Sequence, residues 1–144
     1  MTNINILKDL TQYTYDSVEG YRNAAKKAES AALRQALERR TDQRWQTLER
    51  LNGALQSNGE STVNNASTTG TIHQTFLKVI DALGDSDRAA VKHVEMGEDF
   101  LANQFDEALK RDDLDTGMRS LIESVFKDIR EGERFTDMLE KQYA

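Results

Sequence analysis

The feature that most constrains this chain is the spacing of its apolar residues, which recur every three or four positions along almost the whole sequence. Such spacing places these residues on one face of an α-helix. Four long stretches show the pattern, and no proline interrupts any of them because the 144-residue sequence contains none. The sequence therefore predicts an all-α protein built from four long helices.

The four helices are predicted at about 3–28, 30–56, 86–111 and 114–142. Very short turns separate the first from the second and the third from the fourth, so each pair is predicted to form an antiparallel hairpin. A helix of ~25 residues is about 38 Å long. Helices of such matched length favour a four-helix bundle that forms a single domain over residues 1–144.

Residues 57–85 connect the two predicted hairpins. Their first half is polar, contains two glycines and has no apolar periodicity, which is typical of a loop. Their second half regains helical spacing and predicts a short helix at about 72–83. A crossover of this length can run the whole length of the bundle, which is the connection that ferritin-like bundles have. We therefore expect a ferritin-like four-helix bundle.

The composition argues against several classes of function. The chain has no cysteine, so disulfides, thiolate metal sites and cysteine nucleophiles are excluded. A net charge of −6 and a pI near 5.0 argue against a nucleic-acid partner, which requires clustered basic residues. No apolar run is long enough to span a membrane, and no signal peptide is apparent. We expect a cytoplasmic protein.

The two histidines test for the chemistry of a ferritin-like bundle. A di-iron site takes a Glu-x-x-His pair from each of two helices. Gly70 and Ala90 stand three positions before His73 and His93, so the motif is absent. Each histidine is predicted to be a partly exposed structural residue rather than a ligand. No nucleophile or cofactor motif is present either, so a non-enzymatic protein is expected and no cofactor is favoured.

Charged residues interrupt the apolar stripes near the middle of the predicted helices. Because charges at core positions are rarely tolerated without partners, they are predicted to pair with one another. Counting from the turns places Arg44 level with Thr14, and Glu98 level with residue 127 or 128. The predicted mid-bundle polar cluster consists of Arg40, Arg44, Glu95, Glu98, Thr14 and Tyr21.

Two alternatives remain open for these residues. In one, long side chains at the stripe edges reach solvent, which is expected for Arg40 and Glu95 more than for Arg44 and Glu98. In the other, carboxylates alone bind a divalent cation such as Mg²⁺, Ca²⁺ or Mn²⁺, which prefer oxygen ligands. The candidate ligands are Glu95, Glu98 and Glu133 with Glu19 or Asp16.

Two further features of the helices carry predictions. A glycine inside a helix costs about 1 kcal/mol relative to alanine, so Gly20, Gly97 and Gly132 are expected either to mark close approaches between helices or to lie at unconstrained surface positions. Apolar residues beside the stripe of the last helix suggest an interaction surface, either for a homodimer or for another helical protein. These residues are Leu121, Phe126 and Phe135.

Three segments resemble an uncharacterised bacterial family of ferritin-like four-helix-bundle proteins whose domain has no known function. The segments are Asp16-Ser-Val-Glu-Gly20-Tyr21-Arg22-Asn-Ala24-Ala25, Gly70-Thr-Ile-His73 and Glu95-Met-Gly97-Glu98-Asp99. The resemblance extends from about Leu7 to Gln142. It implies a ferritin-like fold and implies no established activity.

The sequence also departs from the pattern of that family. Members tend to have His-Arg-Gly-Trp where this chain has His73-Gln74-Thr75-Phe76, and Asp-Gly where it has Asp16-Ser17. Many have a histidine where this chain has Glu133. The last difference removes a nitrogen ligand and so weakens the expectation of a metal site.

Overall fold

The computed structural model describes residues 3–65 and 86–143, and within them the chain forms only α-helices and loops. The helices are α1 (Asn3–Lys27), α2 (Ala31–Ser57), α3 (Ser86–Leu109) and α4 (Thr116–Gln142). Their ends differ from the predicted ends by at most two residues. The short helix predicted at 72–83, with His73, lies outside the described residues.

Capping residues explain where α2 and α4 begin. Ser30 and Asp115 have extended backbones, with ψ values of 127° and 163°, and each therefore precedes its helix rather than forming part of it. Ser30 Oγ accepts a hydrogen bond from Leu33 N at 3.3 Å, as predicted for an N-cap. Asp115 Oδ1 accepts one from Met118 N at 2.7 Å. The predicted starts at 30 and 114 were early because these caps lie outside the helices.

Hydrogen bonds at the helix ends establish the direction of each helix. Asn3 Nδ2 donates to Asp113 O at 3.0 Å and Asn3 Oδ1 accepts from Asp115 N at 2.9 Å, so α1 and α4 begin at the same end of the bundle. Asp87 Oδ1 accepts from Glu29 N at 2.7 Å and from Ser30 N at 3.2 Å, which places the start of α3 beside the α1–α2 turn. We call these the Asn3 end and the Ser30 end of the bundle.

The contacts between helices define the topology. Helix α1 packs against α2 and α3, and α4 packs against α3 and, less closely, against α2. Helices α2 and α3 therefore lie diagonally across the bundle, and both run from the Ser30 end to the Asn3 end. The end of α2 and the start of α3 therefore lie at opposite ends of the bundle.

The first residues of the connection between α2 and α3 follow the expected direction. Glu60 forms an ion pair with Lys8 at 3.0 Å, and Asn65 O accepts a hydrogen bond from Gln12 Nε2 at 3.0 Å, one helical turn further along α1. Between them, Val63 N donates to Asn52 Oδ1 on α2 at 2.7 Å. The segment thus lies over the groove between α1 and α2 and leads away from the Asn3 end.

The apolar core is divided into two clusters. The cluster towards the Asn3 end contains Ile6, Leu7, Leu10, Leu51, Leu55, Leu101, Ala102, Phe105, Ala108, Leu114, Ile122, Val125, Phe126 and Ile129. The cluster towards the Ser30 end contains Tyr21, Ala24, Ala25, Ala28, Leu33, Leu37, Ala90, Val91, Val94 and Leu139.

In the described ranges, no helix is long and apolar enough to cross a membrane.

Candidate functional site

A buried ion pair lies between the two apolar clusters. Arg44 and Glu98 have side chains that are 1% and 0% exposed. The guanidinium binds the carboxylate in a bidentate manner, Nη1 to Oε1 and Nη2 to Oε2, the second at 2.7 Å. Because α2 and α3 are diagonal to each other, this pair crosses the centre of the bundle.

All four helices contribute to the level of this pair, which we call the polar layer: Ser17, Arg44, Glu98 and Gly132. Ser17 Oγ of α1 accepts from Arg44 Nη1 at 2.6 Å and donates to Glu98 Oε1 at 3.5 Å. Gly132 of α4 provides space, because a Cβ atom there would lie 1.7 Å from Glu98 Oε2 and 2.5 Å from Arg44 Nη2. The close approach predicted at Gly132 is confirmed, and it is an approach to the ion pair.

Tyr21 covers the polar layer on the side of the Ser30 end. The Arg44 guanidinium lies 5.6 Å from the centroid of the Tyr21 ring, within the range of a cation–π contact. The Tyr21 hydroxyl and Arg40 Nε are buried, and neither has a hydrogen-bond partner of good geometry in the described part of the chain. The phenol therefore lies beside Arg40 without a well-aligned hydrogen bond between them.

The electrostatics of the layer follow from burial and charge. Burial alone would lower the pKa of Arg44, but the charge and hydrogen bonds of Glu98 reverse this effect and raise it above its ordinary value. Burial raises the pKa of Tyr21, and the negative charge of Glu98 raises it further, against the opposing effect of Arg44 and Arg40. Arg44 stays a cation and Tyr21 a neutral phenol across the range of pH at which proteins are handled.

The arrangement restricts what the polar layer can do chemically. Both carboxylate oxygens of Glu98 are bonded to Arg44, and neither residue is reached by solvent. The pair therefore offers no free base, acid or nucleophile to a dissolved substrate. It is an internal ion pair whose desolvation cost is offset by its bidentate hydrogen bonds and by the contact with Ser17.

Three predicted members of the cluster make other contacts. The Thr14 hydroxyl donates to Leu10 O of its own helix at 2.8 Å. Glu95 is half-buried and faces Lys92, whose Nζ lies 3.5 Å from its Oε1. Arg40 donates to Gln43 Oε1 at 2.7 Å and to Asp128 O at 3.2 Å. Of the predicted set, the structure thus brings Arg44, Glu98 and Tyr21 together, with Arg40 beside the Tyr21 hydroxyl, but it does not bring Thr14 or Glu95 to this layer.

The predicted carboxylate ligands do not form one cluster in the described residues, although Glu133 lies near enough to Glu98 for the charge of Glu98 to act on it. Glu19 pairs with Arg22 on the surface of α1. Burial raises the pKa of Glu95 with a contribution from Glu140, and burial raises that of Glu133 with contributions from Asp99 and Glu98. In residues 3–65 and 86–143, no three His, Asp or Glu side chains gather closely enough to hold a metal ion.

Two expectations about exposure were wrong. His93 was expected to be partly exposed but is only 1% exposed, because it faces Gly20 of α1, where a Cβ atom would lie 3.4 Å from its Nε2. Phe126 is buried, with its ring stacked on Phe105 and covered by Arg130. Phe135 and Leu121 are half-buried against the core clusters. The apolar surface that suggested a homodimer is therefore largely absent from α4.

The contact of Ser17 was not predicted, and the predicted levels of Arg44 and Glu98 along the bundle were wrong, for one physical reason. Side chains on a helix tilt towards its N-terminus. For both α2 and α3 that direction is the Ser30 end, so Arg44 reaches Ser17 rather than Thr14, and Glu98 reaches Gly132 rather than residue 127 or 128. The sequence did contain one indication of the role of Ser17, because this residue lies one turn beyond Thr14 on the buried face of α1.

Comparison with known protein families matches most of the chain to a domain whose function is not known. A family model described as Domain of unknown function (DUF2383) matches residues 2–111. No curated protein and no solved structure matches the chain significantly. The matched residues include Ser17, Arg44 and Glu98, whereas Gly132 lies beyond them.

Proposed function

We propose, from the premise that the chain belongs to the DUF2383 family, that it is a ferritin-like bundle protein without enzymatic activity. In this proposal the Arg44–Glu98 pair occupies the centre of the bundle, where a ferritin-like oxidase would carry its di-iron site. The centre serves to hold the four helices in one arrangement. Any binding takes place on the outer surface.

The topology supports the ferritin-like part of the proposal. Helices α2 and α3 are parallel and diagonal, so one long connection joins two antiparallel hairpins. Bundles with short loops throughout, or with two long crossovers, have other topologies. A single long crossover is the arrangement of ferritin-like proteins.

The main support for the absence of enzymatic activity is that the guanidinium of Arg44 binds both carboxylate oxygens of Glu98. The residues do not fit a di-iron group, since the donor set lacks Glu-x-x-His and its central carboxylate already binds a cation. A second cation beside this guanidinium would be repelled. The central side chains therefore favour a structural role.

Metal analysis of the purified protein tests this proposal. We expect well under one equivalent of iron, manganese, zinc, magnesium or calcium, and no change in melting temperature when each is added. Specific binding would raise the melting temperature, because a ligand of the folded state stabilises it by mass action. Glu98→Gln and Glu133→Gln serve as variants for any metal that is found.

The outcomes separate the proposal from the carboxylate-only alternative. Stoichiometric metal that disappears in Glu98→Gln or Glu133→Gln would overturn the structural role and establish a metal site. The same metal content in wild type and both variants would locate the ion elsewhere.

The interaction-module alternative has little support from α4, since the exposed large apolar side chains in the described ranges are Trp45 and Met138, on different helices.

A further inference from the structure

A groove of about 230 Å³ opens between α2 and α4, the two neighbouring helices that pack least closely. We call it the α2/α4 groove. Its lining residues are all polar and comprise five charged side chains, two amides and one threonine. The charged lining residues are Arg40, Arg44, Arg50, Asp128 and Glu131.

Most of these charges already have partners. Arg44 pairs with Glu98 at the bundle centre, and Arg50 Nη1 lies 2.9 Å from Asp128 Oδ2. Arg40 and Glu131 remain, and neither has an oppositely charged side chain within 4.0 Å among the described residues. The groove thus presents one cation and one carboxylate that are not neutralised.

The Arg40 side chain is held in a fixed position. Its two terminal nitrogens donate to neutral acceptors only, Gln43 Oε1 at 2.7 Å and Asp128 O at 3.2 Å. Its guanidinium also lies 5.7 Å from the centroid of the Phe135 ring. A guanidinium fixed in this way loses little entropy on binding an anion, and its planar fork matches a carboxylate.

Glu131 stands on the same part of α4 as the contacts of Arg40. It follows Asp128 by one turn and precedes Phe135 by one turn, so all three share one face of the helix. A simple anion at Arg40 would be repelled by Glu131. A ligand that also carries a cationic group would be attracted by both residues.

We propose that the α2/α4 groove binds a zwitterion of the free amino acid class, with its carboxylate on Arg40 and its ammonium group on Glu131. The volume of the groove suits a ligand of that size. The proposal does not depend on the role of the bundle centre, because Arg44 is 1% exposed and its terminal nitrogens already bond to Glu98 and Ser17.

Nuclear magnetic resonance titration tests the site, with glycine as the smallest probe of this class and the ionic strength held constant. We expect saturable shifts in the backbone amides of Gln43, Thr47, Asp128 and Glu131. Arg40→Gln and Glu131→Gln should each weaken glycine binding by about tenfold or more, because each removes one charge contact. Arg40→Lys, which keeps the charge and loses the planar fork, should weaken it less.

Matched controls make the outcome decisive. Arg39→Gln, at an exposed neighbouring position, should leave binding unchanged. Acetate and methylammonium, each carrying one half of the zwitterion, should bind more weakly than glycine. The absence of saturable shifts with glycine up to about 100 mM, an affinity too weak to be specific, would overturn the proposal. Tighter binding of acetate in Glu131→Gln, with glycine binding no better than acetate, would also overturn it and indicate a simple anion site.

Discussion

Replacement of Gly132 by alanine is the sharpest test of the polar layer. The added Cβ would lie 1.7 Å from Glu98 Oε2, half of the 3.4 Å at which ordinary contact begins, and 2.5 Å from Arg44 Nη2. Neither neighbour can move aside, because the two side chains hold each other in a bidentate pair and both are fully buried. Either the pair must break or α4 must move outwards.

The size of the effect follows from these two routes. Displacement of a packed element by an extra methyl group costs about 1–3 kcal/mol, and disruption of a buried ion pair costs about 3–5 kcal/mol. Alanine recovers about 1 kcal/mol through its better helix propensity. Because the overlap is with the charged atoms themselves, we expect the second route and a net loss of about 2–4 kcal/mol.

Urea unfolding followed by circular dichroism measures this loss, and the chain supplies a matched control. Gly53 lies in α2 with no atom within 4 Å of an added Cβ, so Gly53→Ala should stabilise the protein by about 0.5–1 kcal/mol. Opposite signs for the two substitutions would show that contact with the pair causes the loss. If Gly132→Ala were as stable as the wild type, the close approach of α4 to the ion pair would be refuted.

Two further predictions concern charge. Arg44→Met should lower the free energy of unfolding by on the order of 3–5 kcal/mol, because it leaves Glu98 buried without a partner. Arg44→Met combined with Glu98→Leu should recover most of this loss, as measured by urea unfolding. A double variant no more stable than Arg44→Met would contradict this prediction. The pKa of Asp99, which stands at an exposed position, is raised by partial desolvation and by the neighbouring Asp137, Glu140 and Glu98. Its ionised form therefore weakens the fold slightly at a pH above that pKa and not below the unfolded value of 3.8. Asp99→Asn should therefore raise the urea midpoint at neutral pH and lose this advantage as the pH falls; an advantage that is constant with pH would contradict the cause.

The fold was largely predictable because it depends on local pattern. Spacings of three and four residues locate all four helices, and Ser30 marks the start of α2 by a hydrogen bond to Leu33 that is local in sequence. Capping at Asp115 was missed, so α4 was predicted two residues early. The length of the connection predicted only that α2 and α3 need not be antiparallel neighbours. Their diagonal arrangement and their common direction required the contacts between helices and those of Asn3 and Asp87.

The site was only partly predictable because its geometry depends on how side chains lean between helices. Arg44 and Glu98 stand in apolar stripes, and their pairing could be expected from the cost of burying a single charge. Thr14 and Glu95 occupy similar positions in the pattern, yet one bonds to its own helix and the other faces Lys92. A difference of one helical turn in level decides which of these residues meet.

The sequence by itself determined that this chain forms four amphipathic helices and that charges must be accommodated inside them, because periodicity and desolvation are properties of the residues. Only the tertiary structure decided that Arg44 meets Glu98 across the diagonal, with Ser17 beside the pair and Gly132 against it. The physical reason is that a bidentate ion pair requires its atoms within hydrogen-bond distance. That distance depends on the packing of all four helices together.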